Sequence, residues 1–384
     1  KVSFSYRVSI RSTDGSVKNY SEQTMLSYYK NKDNPNFKST NYSINFASEE
    51  DADAAIEQYK ADIMQEGDEI VDGSETVIYT LQPQASLTVI DQSTGEVKAI
   101  VGGRGDKTAS KTLNRATDTT RQPGSTFKIL AAYSAALDAG GLTLASVQDD
   151  APYTYAGANG KSVNNYDRRY RGFTTLREAI TDSINIVTVK TLAQAGVSLG
   201  WQYVQEYGFT TVDSRDMNEA LALGGITQGV SNLELTAAYA AIANQGTYTQ
   251  PVYYTQVKDK DGNVILDNTQ PLTHTVLKKS TSWLLTNALE SVTAAGTAEA
   301  AALSNQPTAG KTGTTQNVTD KWFCGYTPYY TAAIWLGYDD NSKELSGYID
   351  HRKMWRTIMQ EIHDNLPTGS FEKPDDIVET EVCS

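Results

Sequence analysis

The sequence predicts an α+β chain: an antiparallel sheet packed with helices, preceded by a small N-terminal α+β linker module. Three observations carry this. Two short apolar strands joined by a turn, at 87–91 and 97–101, precede a helical middle region. Three strand-like runs in meander order, 308–316, 321–327 and 331–338, follow it. The first 75 residues have a different pattern, with short alternating runs and one amphipathic helix. A single sheet closed by early and late segments, with helices against it, accommodates that order.

Residues 4–10 alternate apolar and polar side chains, the period of a half-buried strand, and Asp14-Gly15 reads as the turn after it. Residues 42–46 alternate again and are expected to be a second strand. Ser48 caps a helix over about 49–65, with Asp51 in a near capping box. Ala52, Ala55, Ile56, Tyr59 and Ile63 share one face of it, and Gly67 ends it. This module, 1–75, shows no chemistry. From Thr76 the pattern changes, and 76–370 reads as the main domain, with an acidic tail over 371–384. Within the main domain a helix begins at Pro123-Gly124-Ser125, runs to Ala139 and stops at Gly140-Gly141. Thr175 and Glu178 form a capping box that opens a second helical region over about 175–196, and a third covers about 231–245.

With 384 residues the chain suits one large domain and a smaller one. Hydrophobic residues make up 39% and charged residues 21%, as in globular chains. The net charge of −13 repels phosphate backbones, so nucleic acid is not an expected partner. Two cysteines give no disulfide framework. Cys324, in an apolar run, is expected to be a buried, inert thiol, and Cys383 lies in the tail. His274, His351 and His363 show no metal-ligand spacing with the cysteines, so neither metal nor cofactor is expected. The chain starts at Lys1 and has no run of 18 apolar residues, so it is expected to behave as a soluble fragment of an anchored protein.

Three short motifs carry chemistry: Ser125-Thr126-Phe127-Lys128, Ser183-Ile184-Asn185 and Lys311-Thr312-Gly313, continuing to Thr314. A serine needs a base to become a nucleophile. Ser125 stands at a helix start, where the helix dipole favours developing negative charge. Lys128 lies three residues on, along the same face and within reach of Ser125. Burial beside other cations lowers a lysine pKa, so a neutral Lys128 can take the Ser125 proton. Ser183 and Asn185 suit a loop between helices, offering a hydroxyl and an amide to a cleft. Gly313 inside a strand lets a backbone or ligand come close, and Lys311 with two threonine hydroxyls suits a carboxylate. Each motif alone is common; together, in this order, they are not.

With these motifs the chain resembles the penicillin-binding transpeptidases, most closely the bifunctional class A type. Arg121 through Lys128 resembles their nucleophile segment, Gly95 through Arg104 their entry hairpin, and Gly229 through Ala240 a helix they share, with Asn232 where proline is common. Asp320 through Pro328 resembles their strand after K-T-G, with Cys324 in place of the usual valine. The resemblance covers about 76–340. It implies the penicillin-binding/serine β-lactamase-like fold and a peptidoglycan D,D-transpeptidase. Ser125 would attack the penultimate D-alanine carbonyl of a stem peptide ending D-Ala-D-Ala, with Lys128 as base. Ser183 would pass a proton to the leaving D-alanine, tuned by Lys311. Asn185 would hold the substrate backbone, Thr312, Gly313 and Thr314 its carboxylate end, and the N–H groups of Ser125 and Thr314 the oxyanion. β-Lactam antibiotics would acylate Ser125. An upstream glycosyltransferase domain, a membrane anchor and a place on the extracytoplasmic face of the bacterial membrane are implied in the same way.

The rival readings are a serine β-lactamase, a β-lactam-sensing receptor domain, a D,D-carboxypeptidase and a class B transpeptidase. Class A β-lactamases deacylate with a glutamate acting through water. Between Ser183 and Lys311 no E-x-x-L-N occurs, and Glu219-Ala220-Leu221-Ala222 is the nearest stretch.

Overall fold

The computed structural model describes residues 1–107, 110–156, 160–341, 343–345 and 349–380. The chain divides into two compact units: Lys1–Gln84 with Arg104–Ser110 and Gly337–Lys343, and Ala85–Gly103 with Lys111–Leu336 and Glu344–Ser384.

In the first unit strand β1 (Val2–Arg11) pairs with β2 (Val17–Ser21), β3 (Glu69–Ile70) and β4 (Thr76–Leu81). The expected alternation is real: Phe4, Tyr6, Val8 and Ile10 are buried in one core with Met25 and Tyr29 of helix α1 (Glu22–Lys30) and Ala52, Ile56 and Tyr59 of α2 (Glu49–Ile63). Ser48 caps α2 by accepting from the Asp51 N–H. Two differences from the sequence expectation stand out. Residues 42–46 form no strand; only Phe46 bridges to Val2, because Ser43 Oγ takes the Asn45 N–H and local side-chain bonds replace a ladder. The unit also runs past residue 75, since Thr76–Leu81 pairs with β1 over Val2–Arg7.

The second unit is built on a five-stranded sheet in the order β15-β16-β17-β5-β6. Its early hairpin is β5 (Gln84–Asp91) and β6 (Val97–Val101); its late strands are β15 (Ala309–Thr314), β16 (Asp320–Tyr326) and β17 (Tyr330–Gly337). The sheet of early and late segments expected from the sequence is thus formed. Between these strands lie a helical run from Gly124 ending in α3 (Ser134–Asp138), the small strands β7 (Val147–Asp150), β8 (Tyr153–Thr154), β9 (Ser162–Val163) and β10 (Gly172–Thr175), and helices α4 (Leu176–Thr181), α5 (Asn185–Ala195), α6 (Val197–Glu206) and α7 (Asn232–Ala243). Short strands β11 (Thr247–Thr249), β12 (Gln256–Lys258), β13 (Val264–Asp267) and β14 (Thr273–Thr275) follow, then α8 (Lys279–Ala295). The last helix is α9 (His351–His363), which buries His351, Trp355, Met359 and His363, one every four residues. Helices α1, α6, α8 and α9 lie outside those predicted. The expected acidic tail begins with Phe371 packed edge-on against Tyr326, ring centroids 5.6 Å apart; Cys383 lies outside the described residues. Among the described residues no helix is long and apolar enough to cross a membrane.

Four glycines set how closely backbones approach near the edge strand β15. A Cβ on Gly124 (φ 54°) would meet Thr314 O at 2.7 Å, and one on Gly313 would meet Pro123 O at 2.5 Å. One on Gly229 would meet the Arg121 backbone at 2.5 Å, and one on Gly224 (φ 75°) would strike the Gly124 carbonyl. Gly262 (φ 88°) has nothing within 4 Å of its Cβ position. Gly262→Ala should therefore carry only the left-handed conformational cost of about 1–2 kcal/mol. Gly224→Ala should add an overpacking penalty of about 1–3 kcal/mol. Denaturant midpoints of the two variants test this; equal losses would mean that the backbone contact at Gly224 relaxes freely.

Candidate active site

The segment that carries Ser125 opens with a tight turn. Pro123 is followed by Gly124 in the left-handed region, then a 3₁₀ turn over Gly124–Thr126 and a π-helical stretch over Lys128–Tyr133. The expected helix is present as a run, but it is α-helical only from Ser134. Wide π turns are uncommon and gather at functional sites. Thr126 Oγ1 donates to Pro123 O at 2.9 Å, and Trp322 Nε1 of β16 donates to Gln122 O at 3.0 Å. The Tyr239 hydroxyl of α7 donates to Thr126 O at 2.7 Å. Ser125 itself is half-buried, and among the described residues its hydroxyl makes no hydrogen bond within the chain.

Ser183 sits at the junction of α4 and α5. The Ser183 N–H donates to Ile180 O at 3.3 Å and the Ile184 N–H to Ala179 O at 2.9 Å, the Schellman ending of a helix. That ending demands a left-handed residue, usually glycine, and Ser183 holds φ 56°. A serine there costs about 1–2 kcal/mol relative to an ordinary conformation. Asn185 begins α5; its N–H donates to Asn165 Oδ1 at 3.0 Å, and its Nδ2 to Asn164 O at 2.7 Å.

Lys128 and Lys311 are both fully buried and converge on the Ser183 hydroxyl. Lys128 Nζ lies 3.1 Å from Ser183 Oγ, 2.6 Å from Ser183 O and 2.6 Å from Asn185 Oδ1. Lys311 Nζ lies 2.8 Å from Ser183 Oγ and 3.3 Å from Thr312 O. Among the described residues neither lysine has a carboxylate within ion-pair distance. Burial, and then the neighbouring Lys311, hold the Lys128 ammonium well below the ordinary lysine range. Burial brings Lys311 down to about 7, with Cys324 acting weakly the other way. Lys128 Nζ thus donates to Ser183 O, Asn185 Oδ1 and Ser183 Oγ, and the same Ser183 oxygen accepts from Lys311, so one hydroxyl joins the two buried lysines.

The third motif lies on the edge strand β15. Thr312 Oγ1 is 3.0 Å from Thr297 Oγ1, and Thr314 is half-buried. The Thr314 N is 3.1 Å from the Cβ position of Gly124, which sets it beside the start of the nucleophile segment. At Gly313 the space a Cβ would take is filled by Pro123 O and Thr126 Cγ2, the close backbone approach that a glycine inside a strand permits. Cys324, paired in register with Lys311, is buried, and burial pushes its thiol up. Among the described residues no three histidine, cysteine or carboxylate side chains converge as metal ligands do.

The structure thus brings Lys128, Ser183, Asn185 and Lys311 into one hydrogen-bonded group, with Ser125, Thr312 and Thr314 on the adjoining segments. None of the three Lys128 bonds reaches Ser125, although the i, i+3 spacing suggests contact. Sequence reasoning missed the supports: Asn164 and Asn165 under Asn185, Thr297 beside Thr312, and Arg352, whose Nη1 donates to Thr297 O at 2.8 Å while its fork grips Asp350 at 2.8 and 2.9 Å.

A family model described as the penicillin-binding protein transpeptidase domain matches residues 85–360. Penicillin-binding protein 1A of Clostridium botulinum is 37% identical over 324 residues, covering 80% of this chain and 38% of that protein. Penicillin-binding protein 1F of Bacillus subtilis is 38% identical over 308 residues, covering 78% of this chain and 41% of that protein. The chain therefore spans about two fifths of the length of these relatives. Among solved structures, penicillin-binding protein 1A from Haemophilus influenzae superposes with TM-score 0.69 at 23% identity, covering 81% of this chain and 54% of that one. PonA1 from Mycobacterium tuberculosis in complex with penicillin V superposes with TM-score 0.68 at 23% identity, covering 78% and 82%. These likenesses show the fold.

The buried lysines should be visible in stability. Each titrates lower in the folded chain than the 10.5 of an ordinary lysine. From pH 7 to about 10 the unfolded chain then binds more protons, so stability rises with pH. Relative to Lys311→Met, the parent should gain up to about 1.4 kcal/mol per pH unit across that window. Unfolding free energies of both proteins from pH 7 to 10 decide it; a difference that is flat or falls with pH excludes the low pKa.

Proposed function

The chain belongs to the penicillin-binding protein transpeptidase family, and from that premise we propose that it is a D,D-transpeptidase cross-linking peptidoglycan through an acyl-enzyme on Ser125. The observation that carries this is the convergence of Lys128, Lys311 and Asn185 around the Ser183 hydroxyl, beside a serine whose own hydroxyl is uncommitted.

In this reading Ser125 Oγ attacks the carbonyl of the penultimate D-alanine as Lys128 takes its proton. Catalytic bonds often tighten only when substrate is bound, so a Lys128 resting on Ser183 is compatible with that role. The oxyanion forms against the N–H groups of Ser125 and Thr314, each such donor being worth about 3–4 kcal/mol. As the C–N bond breaks, the proton passes from Lys128 through the Ser183 hydroxyl to the leaving D-alanine nitrogen. Lys311, hydrogen-bonded to the same oxygen, supports the charge there. Asn185 Nδ2 and the hydroxyls of Thr312 and Thr314 hold the donor peptide at its backbone and its terminal carboxylate. An acceptor amine from a second strand then resolves the ester. A β-lactam presents a strained amide in place of the D-Ala-D-Ala bond and leaves the acyl group on Ser125. The relatives' greater length fits an upstream glycosyltransferase domain and a membrane anchor, with this chain on the extracytoplasmic face.

Incubation with a penicillin should add one covalent adduct, on the peptide containing Ser125, and it should remain after many minutes. Tryptic mass spectrometry checks the site and the persistence; a modification elsewhere, or rapid release of hydrolysed drug, would overturn the transpeptidase. Lys128→Arg keeps the charge but cannot accept a proton. Its acylation rate should fall about 10²–10⁴-fold, the usual general-base contribution. Stopped-flow acylation beside a thermal melt reads this, and a rate within threefold of the parent would remove Lys128 as the base.

A further inference from the structure

Residues 161–173 oppose the charge of the rest of the chain. The chain has 33 Lys and Arg against 46 Asp and Glu, whereas this segment carries Lys161, Arg168, Arg169 and Arg171 against Asp167 alone. Arg171 occupies the nearby carboxylates, lying 3.0 Å from Asp167 and 3.9 Å from Asp150. The side chains of Arg168 and Arg169 are exposed, and among the described residues neither has a carboxylate within ion-pair distance. Tyr166 of the same loop is 91% exposed.

The underside of this loop is fixed to the site. Asn165 is buried, its Oδ1 accepting the N–H groups of Asn185 and Ile186 at 3.0 and 3.2 Å. Its Nδ2 donates to the Asp150 carboxylate at 2.8 and 3.0 Å and to Arg169 O at 2.8 Å. Asn164 O accepts from Asn185 Nδ2, the amide already assigned to the substrate backbone. Tyr166 follows two residues later, at most about 7 Å of chain away. An exposed aromatic and two guanidinium groups with no carboxylate at ion-pair distance are thus carried on a loop hydrogen-bonded to Asn185.

We propose that the 164–171 loop is a docking subsite for a carboxylate-bearing peptide: the part of the acyl donor on the amino side of the bond that Ser125 attacks. The proposal rests on the transpeptidase reading, which gives Asn185 its substrate. Guanidinium forks pair with carboxylates in a fixed planar geometry, and an exposed tyrosine offers a stacking face to the chain leaving the cleft. Exposed charge pairs are individually weak and salt-screened, so the subsite adds selectivity and encounter rate rather than tight binding.

The test uses two fluorescent peptides ending D-Ala-D-Ala, one with a free upstream carboxylate and its twin amidated there. Their binding is measured by anisotropy on the Ser125→Ala chain, with and without the double change Arg168→Glu and Arg169→Glu. At low salt the charge reversal should raise the dissociation constant of the carboxylate peptide about 5–20-fold. The amidated twin should shift less than twofold, and raising the salt to about 1 M should erase the difference. With Ser125 intact, penicillin acylation should stay within twofold of the parent, because a β-lactam does not reach the loop. Equal shifts for both peptides, no shift for either, or no measurable binding would overturn the subsite. So would loss of penicillin acylation in a charge-reversed protein that still melts cooperatively, since the loop would then act by shaping Asn185. Failure of the parent chain to form a penicillin adduct would sink the transpeptidase reading instead, a result separate from the peptide comparison.

Discussion

Two lysine side chains buried on one serine hydroxyl form the constraint on which the rest of this structure turns. Taking an ammonium out of water without a carboxylate is expensive, and a buried lysine escapes the penalty by giving up its proton. Lys128 and Lys311 are both fully buried and 2.8–3.1 Å from Ser183 Oγ, and Lys311 further disfavours the charge on Lys128. Both ammonium groups are thereby held below the ordinary lysine range at one hydroxyl. Ser183 itself holds a left-handed position that glycine would fill with less strain, and its hydroxyl is where the two lysines meet.

Keeping such a group in place demands a rigid frame, and the frame is mostly backbone. The nucleophile turn lies against the edge strand β15 with no space for side chains at Gly124 or Gly313. Buried polar contacts then lock the turn to the sheet. Trp335 Nε1 donates to Asp320 Oδ1 at 2.9 Å, and the Arg121 guanidinium stacks on the Trp335 ring at 5.0 Å and lies 3.9 Å from the same carboxylate. Such networks favour one arrangement over others because each partially satisfied alternative leaves a buried polar group unpaired. The apolar core of the unit runs from Phe127 and Leu130 through Trp322 and Trp355, so the segments of the candidate site are anchored in one buried cluster.

The fold was largely legible where local patterns are strong. The alternation of β1, the caps at Ser48 and Thr175, and the hairpin before and meander after the helices all have short-range signatures, and the structure contains each. Residues 42–46 misled because alternation alone does not supply a partner strand, and serine and asparagine side chains took the backbone groups first. Helices α8 and α9 escaped notice because their buried faces are broken by polar side chains such as Thr281, Ser282 and His351, which find partners or a place only in the packed core.

For the site, the sequence by itself picked out the candidate residues: three motifs in a fixed order named Ser125, Lys128, Ser183, Asn185, Lys311, Thr312, Gly313 and Thr314. Only the tertiary structure decided how they engage. Helical spacing pairs Lys128 with Ser125, but the fold turns the ammonium to Ser183 and Asn185, residues brought from the start of another helix. Likewise a glycine at 313 admits a backbone or a ligand in the sequence, and the fold brings the Pro123 backbone against it. The reason is physical: which atoms a buried donor meets depends on desolvation and on long-range packing, and neither is encoded in the spacing of residues along one segment.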